Sequence, residues 1–300
     1  MNIHPDLARR LDGHDTRFAL RRLEYGSYVS LRHRYMYVET PKAACTSIKR
    51  MLVDLEGIAW NPDALPYHRE TRRDMLIHQR RYVGIPSLLD IAPSIREEIL
   101  SGVEGWFVFA VVRNPFSRLV SVFENKIRLG EPRYRTLEAR YGDRGIFSDP
   151  KTAFAAFIEE VLCGRDKRDR DPHFTSQTRL LLPRLIPYTH VFRLEKVDEM
   201  FRALRNHLSA QETAGPAGLP RENASLGSPW RDFYDERSAR TVAEIYADDF
   251  REYDYDPEDW RGGRGKVTET EDYRRWRAEL VERNAFIDRM FDWMEELRRA

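Results

Sequence analysis

The chain has 300 residues, of which 41% are hydrophobic and 12% aromatic, and 50 Lys and Arg residues nearly balance 49 Asp and Glu residues. This composition is typical of a globular protein and excludes disordered, collagenous and low-complexity chains. The net charge of +1 gives no bulk attraction to nucleic acid or to an anionic membrane surface. Any anion-binding site must therefore be local, and we expect no nucleic acid partner.

Membrane and export signals are also missing from the pattern. The longest apolar run, residues 106–112, falls far short of the roughly 20 residues that span a bilayer. Residues 1–15 carry several charges with no apolar run behind them, unlike a signal peptide. We therefore expect a cytoplasmic chain without a transmembrane segment. Cys45 and Cys163 lie in no CxxC pair, and we expect both to be reduced.

Three strand and helix pairs are predicted in chain order. YMYVET at residues 35–40 predicts a strand, and Ile48, Met51, Leu52 and Leu55 follow it at helical spacing. Residues 106–112 are continuously apolar, as in a strand buried on both faces, and a helix follows with Asn114 as N-cap and Pro115 in its first turn. Residues 189–194 predict a third strand, followed by a helix over residues 197–208.

The alternation of strands and helices predicts an α/β fold with a P-loop-like, largely parallel sheet flanked by helices and an extra C-terminal helix. Residues 211–227 predict a surface loop, and a further helix carries Val242, Ile245, Tyr246 and Phe250. We assign residues 1–265 to one domain and residues 266–300 to an amphipathic C-terminal helix.

The last helix has two interpretations. Its apolar residues recur at steps of three and four, and they are Tyr273, Trp276, Leu280, Ile287, Met290, Met294 and Leu297. The helix either packs back on its own domain or forms a heptad seam between two copies in a homodimer, and three to four clean heptads are needed to predict a coiled coil.

Two turns lie where an anion site is expected, at the carboxyl ends of predicted strands and the starts of helices. The first is PKAACTS at residues 41–47, where Lys42, Thr46 and Ser47 add charge and hydroxyl donors to a backbone of small residues. It has no glycine and is not a Walker A loop, which weakens an ATPase, GTPase or kinase interpretation. The second is VRNPFSRLVS at residues 112–121, where Arg113 and Ser121 could bracket one anion.

The pair of motifs, PKAACTSIKR at residues 41–50 and VVRNPFSRLVSVFENKI at residues 111–127, resembles sulfotransferase family 2. Members of that group are carbohydrate sulfotransferases that use 3′-phosphoadenosine 5′-phosphosulfate (PAPS) and release adenosine 3′,5′-bisphosphate. Weaker likeness, including DPHF at residues 171–174, extends the resemblance over residues 35–255. The resemblance implies an O-sulfotransferase whose acceptor is a hydroxyl group of a glycan, a glycolipid or a similar molecule.

The resemblance also implies roles for individual residues. Lys42 would contact the 5′-phosphate and the bridging oxygen and stabilise the charge that grows as the S–O bond breaks. Ala43, Ala44, Cys45, Thr46 and Ser47 would bind the 5′-phosphosulfate, and Arg113 and Ser121 would hold the 3′-phosphate. Lys49 and Arg50 would be solvated or lie behind these residues.

A base must accept the proton of the acceptor hydroxyl, and histidine suits this role at neutral pH. His78 is the first candidate because it lies between the two motifs, in the region where family members carry their base. His68 is the second candidate. His173, in the DPHF segment, resembles a histidine of the acceptor site.

No metal ion is required by this chemistry. Asp166, Asp169 and Asp171 alternate with basic residues, a pattern that is typical of a solvated loop. The glycine-rich basic residues 261–266 predict either an exposed linker or a lid over a nucleotide. The alternative function, in a different class, is a non-catalytic nucleotide-binding scaffold with a sulfotransferase-like fold.

Overall fold

A computed structural model describes residues 5–11, 13, 15–66, 73–128, 149–163, 171–210, 229–263, 267 and 270–299. Its strands are β1 (Ser27–Ser30), β2 (Tyr35–Val38), β3 (Phe107–Val112) and β4 (His190–Arg193). Its α-helices are α1 (Pro5–Arg10), α2 (Thr16–Tyr25), α3 (Cys45–Leu55), α4 (Arg80–Val83), α5 (Pro93–Leu100), α6 (Pro115–Val122), α7 (Pro150–Phe157), α8 (Gln177–Leu181), α9 (Val197–Ser209), α10 (Glu236–Ile245), α11 (Ala247–Glu252) and α12 (Glu271–Arg299).

The four strands form one sheet in the order β1, β2, β3, β4. Strands β2, β3 and β4 are parallel, with Tyr37 opposite Phe109 and Phe109 opposite His190. Strand β1 is antiparallel to β2. Because β2 and β3 are parallel neighbours, the segments that follow them leave from the same edge of the sheet.

The predicted α/β class is confirmed, and so are the three predicted strands, to within two residues at each end. Strand β1 was not predicted, because SYVS is too short and too polar to give a strand pattern. Its antiparallel pairing with β2 makes the sheet mixed rather than wholly parallel.

The core beside the sheet consists of alternating strand residues and the apolar faces of two helices. Tyr35, Tyr37, Phe107 and Phe109 belong to one buried cluster with residues of α3 and α9. Helix α3 contributes Ile48, Met51, Leu52 and Val53, and α9 contributes Met200, Phe201, Leu204 and Leu208. The helical spacings in the sequence therefore correspond to the buried faces.

The chain divides into two compact units that are built from interleaved segments. The first comprises Met1–Asn61, Ile77–Arg113 and Ser176–Glu222, and it holds the sheet, α3 and α9. The second comprises Pro62–Leu76, Asn114–Thr175 and Asn223–Ala300, and it holds α6, α7, α10, α11 and α12. The predicted domain boundary at residue 265 stays a prediction.

In the second unit, α6 begins as predicted. The Asn114 side chain accepts hydrogen bonds from the backbone N–H groups of Phe116 and Ser117, and Pro115 occupies the first turn. One predicted helix is divided in two, since the backbone of Tyr246 leaves helical geometry between α10 and α11. The Tyr246 hydroxyl donates to the Phe174 carbonyl at 2.8 Å, a contact that sequence periodicity does not encode.

Helix α12 has two different faces. Tyr273, Arg277, Leu280 and Asp288 are buried, and the Tyr273 hydroxyl hydrogen bonds to Glu124 of the second unit. Exposed apolar side chains elsewhere on the helix are Trp276, Phe286, Met290, Trp293 and Leu297. The residues of the predicted seam are thus divided: Tyr273 and Leu280 are buried, whereas Met290 and Leu297 are exposed. Among the described residues, no helix has both the length and the apolarity needed to cross a membrane.

Candidate active site

The turn between β2 and α3 adopts an unusual backbone without any glycine. Lys42 has φ of 70° and Ala44 has φ of 57°, a left-handed conformation that costs L-residues roughly 1–2 kcal/mol each. Ala44 occupies the N-cap position of α3, and its methyl side chain cannot accept a hydrogen bond from the first turn. Backbone N–H groups and the positive end of the helix dipole therefore face an uncapped position, which is suited to bind an anion.

Arg113 brings the second motif to this first turn within the same unit. Its Nη1 donates a hydrogen bond to the carbonyl oxygen of Lys42 at 3.3 Å. The buried Gln177 side chain holds the Arg113 backbone at both polar groups: Oε1 accepts from the Arg113 N–H and Nε2 donates to the Arg113 carbonyl, each at 2.8 Å. A fixed guanidinium therefore lies beside the uncapped turn.

The start of α6 differs from the start of α3. Asn114 Oδ1 accepts from the N–H groups of Phe116 at 2.9 Å and Ser117 at 3.4 Å, so a side chain already satisfies this helix start. An anion bound by the second motif must therefore rely on side chains such as Arg113. Ser121 is half-buried on α6 in the second unit, and its pairing with Arg113 across one phosphate stays a prediction.

A hydrogen-bonded chain of side chains lies behind the first turn. Lys49 Nζ donates to Glu39 Oε2 at 2.6 Å and contacts His78 Nδ1 at 2.7 Å. The other ring nitrogen of His78, Nε2, lies 2.9 Å from Thr46 Oγ1. The chain therefore runs from Glu39 through Lys49 and His78 to a hydroxyl in the first turn of α3.

Lys49 is fully buried, so of the two positions expected for its side chain, solvated or behind the first turn, it occupies the second. Burial alone would lower the pKa of the Lys49 ammonium, but the Glu39 carboxylate outweighs burial and raises that pKa above its ordinary value. The side chain is thus a cation at neutral pH. Helical periodicity places Lys49 on the buried face of α3.

Glu39, Cys45 and His78 present potential metal-ligating atoms within 4.8 Å of one another. The Lys49 ammonium already hydrogen bonds to two of these residues, Glu39 and His78. A divalent cation here would lie against a buried ammonium, which Coulomb repulsion disfavours. Lys49 thus supplies the positive charge that balances the Glu39 carboxylate.

The predicted acceptor-site histidine lies in an ordered turn of the second unit. His173 Nδ1 lies 2.8 Å from Asp171 Oδ1. Arg118, which is buried on α6, donates to the carbonyl oxygens of Thr175 at 3.0 Å and Pro172 at 3.1 Å. Asp171 therefore orients the imidazole, and Arg118 holds the backbone on which it is carried.

The glycine-rich segment is described only up to Gly263, and residues 264–266 lie outside the described residues. Asp259, just before it, accepts a hydrogen bond from Asn114 Nδ2 at 2.8 Å, and its carbonyl accepts from Arg231 Nε at 2.7 Å. A Cβ at Gly263 would lie 2.4 Å from the Arg231 carbonyl oxygen, so only glycine fits there. The predicted lid role stays a prediction.

The structure thus brings together the first turn, Arg113, His78 and Thr46 in one unit. His68 lies outside the described residues. Sequence reasoning missed Glu39 and Gln177, and it left open whether Lys49 is solvated or lies behind the first turn. The one available signal was the position of Lys49 on the apolar face of α3, beside Ile48 and Leu52.

Comparisons with known proteins agree with the motifs. The profile of the sulfotransferase family matches residues 26–256. The sequence is 28% identical over 195 residues to carbohydrate sulfotransferase 8 of Homo sapiens, covering 60% of this chain and 43% of that protein. It is 30% identical over 175 residues to carbohydrate sulfotransferase 14 of Mus musculus, covering 57% of this chain and 43% of that protein. The chain therefore spans less than half the length of these relatives, and no solved structure matches it.

Proposed function

Because this chain belongs to the sulfotransferase family, we propose that it moves a sulfuryl group from PAPS to a hydroxyl group of a carbohydrate or a similar acceptor. The observation that carries this proposal is the uncapped start of α3 with the Arg113 guanidinium against the same turn. Backbone N–H groups and a planar cation at one turn are suited to a ligand with several phosphate oxygens.

The donor supplies the sulfuryl group and leaves as adenosine 3′,5′-bisphosphate. In this proposal, Lys42 neutralises negative charge on the phosphate oxygen that loses the sulfur. The residues from Ala43 to Ser47 orient the 5′-phosphosulfate, and Arg113 and Ser121 hold the 3′-phosphate. Catalysis then comes from alignment and charge neutralisation, as in phosphoryl transfer, rather than from a covalent intermediate.

The acceptor is proposed from the relatives and from the site. The similar proteins are named carbohydrate sulfotransferases, which favours a glycan or glycolipid acceptor. His173, oriented by Asp171, is proposed to contact that acceptor. The acceptor hydroxyl must also lose its proton to a base, for which the sequence nominates His78 and His68.

The proposal is tested by measuring the transfer of labelled sulfate from PAPS to a panel of desulfated glycans, with the wild type and with Lys42→Ala. We expect a fall in turnover of at least a hundredfold with a small change in the KM for PAPS, because Lys42 acts mainly on the leaving group. Lys196→Ala, at an exposed lysine outside the motifs, is the matched control and keeps wild-type turnover. Equal turnover in Lys42→Ala and wild type would refute the assigned role of Lys42. If the wild type bound the bisphosphate but transferred sulfate to no acceptor, that result would support the alternative function, a non-catalytic nucleotide-binding scaffold.

A further inference from the structure

We propose that Lys49 and His78 are positioning residues that orient the Thr46 hydroxyl: Lys49 holds the His78 ring as the neutral tautomer protonated at Nε2, and Nε2 donates to Thr46. The tautomer follows from contacts within the first unit alone. The consequence of this tautomer for the binding of PAPS by Thr46 rests on the proposed function.

The direction of each hydrogen bond can be derived from the chemistry of the groups. A lysine ammonium only donates, so His78 Nδ1 at 2.7 Å must accept and carry no proton. A neutral imidazole has one N–H group, which is then at Nε2, 2.9 Å from Thr46 Oγ1. An imidazolium would direct a second donor at the ammonium, and this repulsion disfavours it.

The other groups around Lys49 strengthen this arrangement. Glu39 Oε2 accepts a hydrogen bond from the ammonium at 2.6 Å, and the Tyr28 ring centroid lies 5.5 Å from Lys49 Nζ. Burial raises the pKa of Tyr28 to about 12, so that phenol is neutral. The Arg80 guanidinium also lies over the Tyr28 ring, 4.9 Å from its centroid, and the Cys45 ligand atom lies within 4.8 Å of those of His78 and Glu39. Glu39 is thus the carboxylate that fixes Lys49 against His78.

Two consequences follow for the reaction. Thr46 Oγ1 accepts a hydrogen bond from the Nε2–H group of His78. The hydroxyl proton of Thr46 is therefore directed elsewhere and can form a hydrogen bond to a phosphate oxygen of PAPS. In this tautomer Nε2 carries a proton and the lone pair of Nδ1 accepts the hydrogen bond from Lys49, so neither ring nitrogen of His78 is available to take the proton of the acceptor. His78 is then a positioning residue, and the predicted role of base passes to another group, with His68 as the remaining candidate.

Nitrogen-15 NMR of histidine-labelled full-length protein at pH 7.5 tests the tautomer directly, because protonated and unprotonated ring nitrogens have well-separated resonances. His78→Gln assigns the signals. We expect Nδ1 unprotonated and Nε2 protonated in the wild type, and loss of this preference in Lys49→Met. Lys196→Met, at an exposed lysine, leaves the signals unchanged. A proton on Nδ1, or on both nitrogens, in the wild type would overturn the proposal.

Binding of adenosine 3′,5′-bisphosphate tests the consequence. Thr46→Val removes the oriented hydroxyl and should weaken binding about tenfold, the effect of one hydrogen bond to a charged group. Thr46→Ser keeps the hydroxyl and should bind within about twofold of wild type. Equal affinity of Thr46→Val and wild type would overturn the role of Thr46. Absence of bisphosphate binding in the wild type would instead count against the proposed function and leave the tautomer result standing.

The face of α12 opposite to Tyr273 and Leu280 carries a separate feature, an exposed apolar stripe. Phe286 is 55% exposed, Met290 40%, Trp293 62% and Leu297 57%. Their steps of four, three and four are those of a heptad seam about 16 Å long. Contiguous exposed apolar side chains of this kind mark an interaction surface.

We infer that this stripe, residues 286–297, binds the stripe of a second copy in an antiparallel pair. The spacing is the same in both directions, so a twofold axis would place Phe286 against Leu297 and Met290 against Trp293. The exposed Arg289 and Glu296 flank the seam on one side, where antiparallel pairing brings opposite charges together. The stripe is thus complementary to a second copy of itself in the spacing of its apolar residues and in charge.

Sedimentation velocity at micromolar concentration tests this pairing. We expect a dimer for the wild type and a monomer for Trp293→Glu. Arg289→Glu and Glu296→Arg should each weaken the dimer about tenfold, because each reverses the sign in two symmetric pairs. The double variant, with both charges exchanged, should recover it. A monomeric wild type, or a double variant no stronger than the single variants, would overturn the inference.

Discussion

The buried ion pair between Lys49 and Glu39 shows that a charged residue type does not by itself place a side chain in solvent. Lysine is rarely fully buried unless it is paired, and here the carboxylate and the imidazole satisfy its ammonium. Breaking such a pair by removing one partner typically costs about 3–5 kcal/mol, because a charge is then left without compensation. The pair therefore fixes the ammonium that contacts His78 Nδ1.

The pH dependence of this pair has a definite sign. The pKa of Lys49 is raised above the ordinary lysine value of 10.5 because the Glu39 carboxylate outweighs burial, so the stabilisation is fully present below that value. It is lost only as the pH rises through the raised pKa of the folded protein. Changes in activity between pH 6 and 9 therefore come from groups other than Lys49.

Single residues of the site differ in how far the sequence identifies them. Lys42, Thr46 and Arg113 stand in motifs whose spacing is local. Gln177 makes its contacts with Arg113 across 64 positions, and His78 contacts Lys49 across 29 positions, so no local pattern contains either pairing. These residues could be recognised only once the fold had brought them together.

At the scale of elements, α6 begins with a side-chain cap at Asn114, whereas α3 begins at Ala44 without one. The sequence predicts the Asn114 cap of α6, because Asn followed by Pro is a helix-start signal. It gives no such signal for α3, whose N-cap is an alanine in the left-handed conformation. A helix start that lacks a cap is expected where a ligand supplies one.

Ala44→Gly is predicted to stabilise the free protein by about 1 kcal/mol, because glycine adopts a positive φ without the steric cost that Ala44 bears. The gain is limited by the larger entropy of glycine in the unfolded chain. Urea unfolding of the two proteins measures the difference, and Ala203→Gly in the middle of α9 is the control that should destabilise. A loss of stability in Ala44→Gly would show that the left-handed backbone carries no strain.

The strands and the longer helices of the sheet unit were predictable because each has a continuous or periodic apolar pattern. Strand β1 and the division at Tyr246 were not, because one depends on pairing with β2 and the other on a hydrogen bond to Phe174. Both are set by contacts that are distant in sequence. Local patterns therefore located the elements that hold the site, while tertiary contacts determined their details.

At the scale of the whole molecule, the residues of the two motifs are divided between the two units. The first turn and Arg113 belong to one unit, and Ser121 and His173 belong to the other. A single ligand that requires both motifs would thus report on the function of the complete chain. In the proposed function the bisphosphate product is such a ligand, because the proposal places its 5′ and 3′ phosphates on different motifs.

Calorimetric titration of the full chain with adenosine 3′,5′-bisphosphate in EDTA, with AMP and ATP as comparison ligands, is the most direct test of the central claim. We expect metal-independent binding that is stronger than that of AMP or ATP and at least tenfold weaker in Arg113→Ala, because a charge-assisted contact is lost. Arg184→Ala, at an exposed arginine, is the control and should bind like wild type. No binding by the wild type, or equal binding by Arg113→Ala, would contradict the assignment of this site to a PAPS-dependent sulfotransferase.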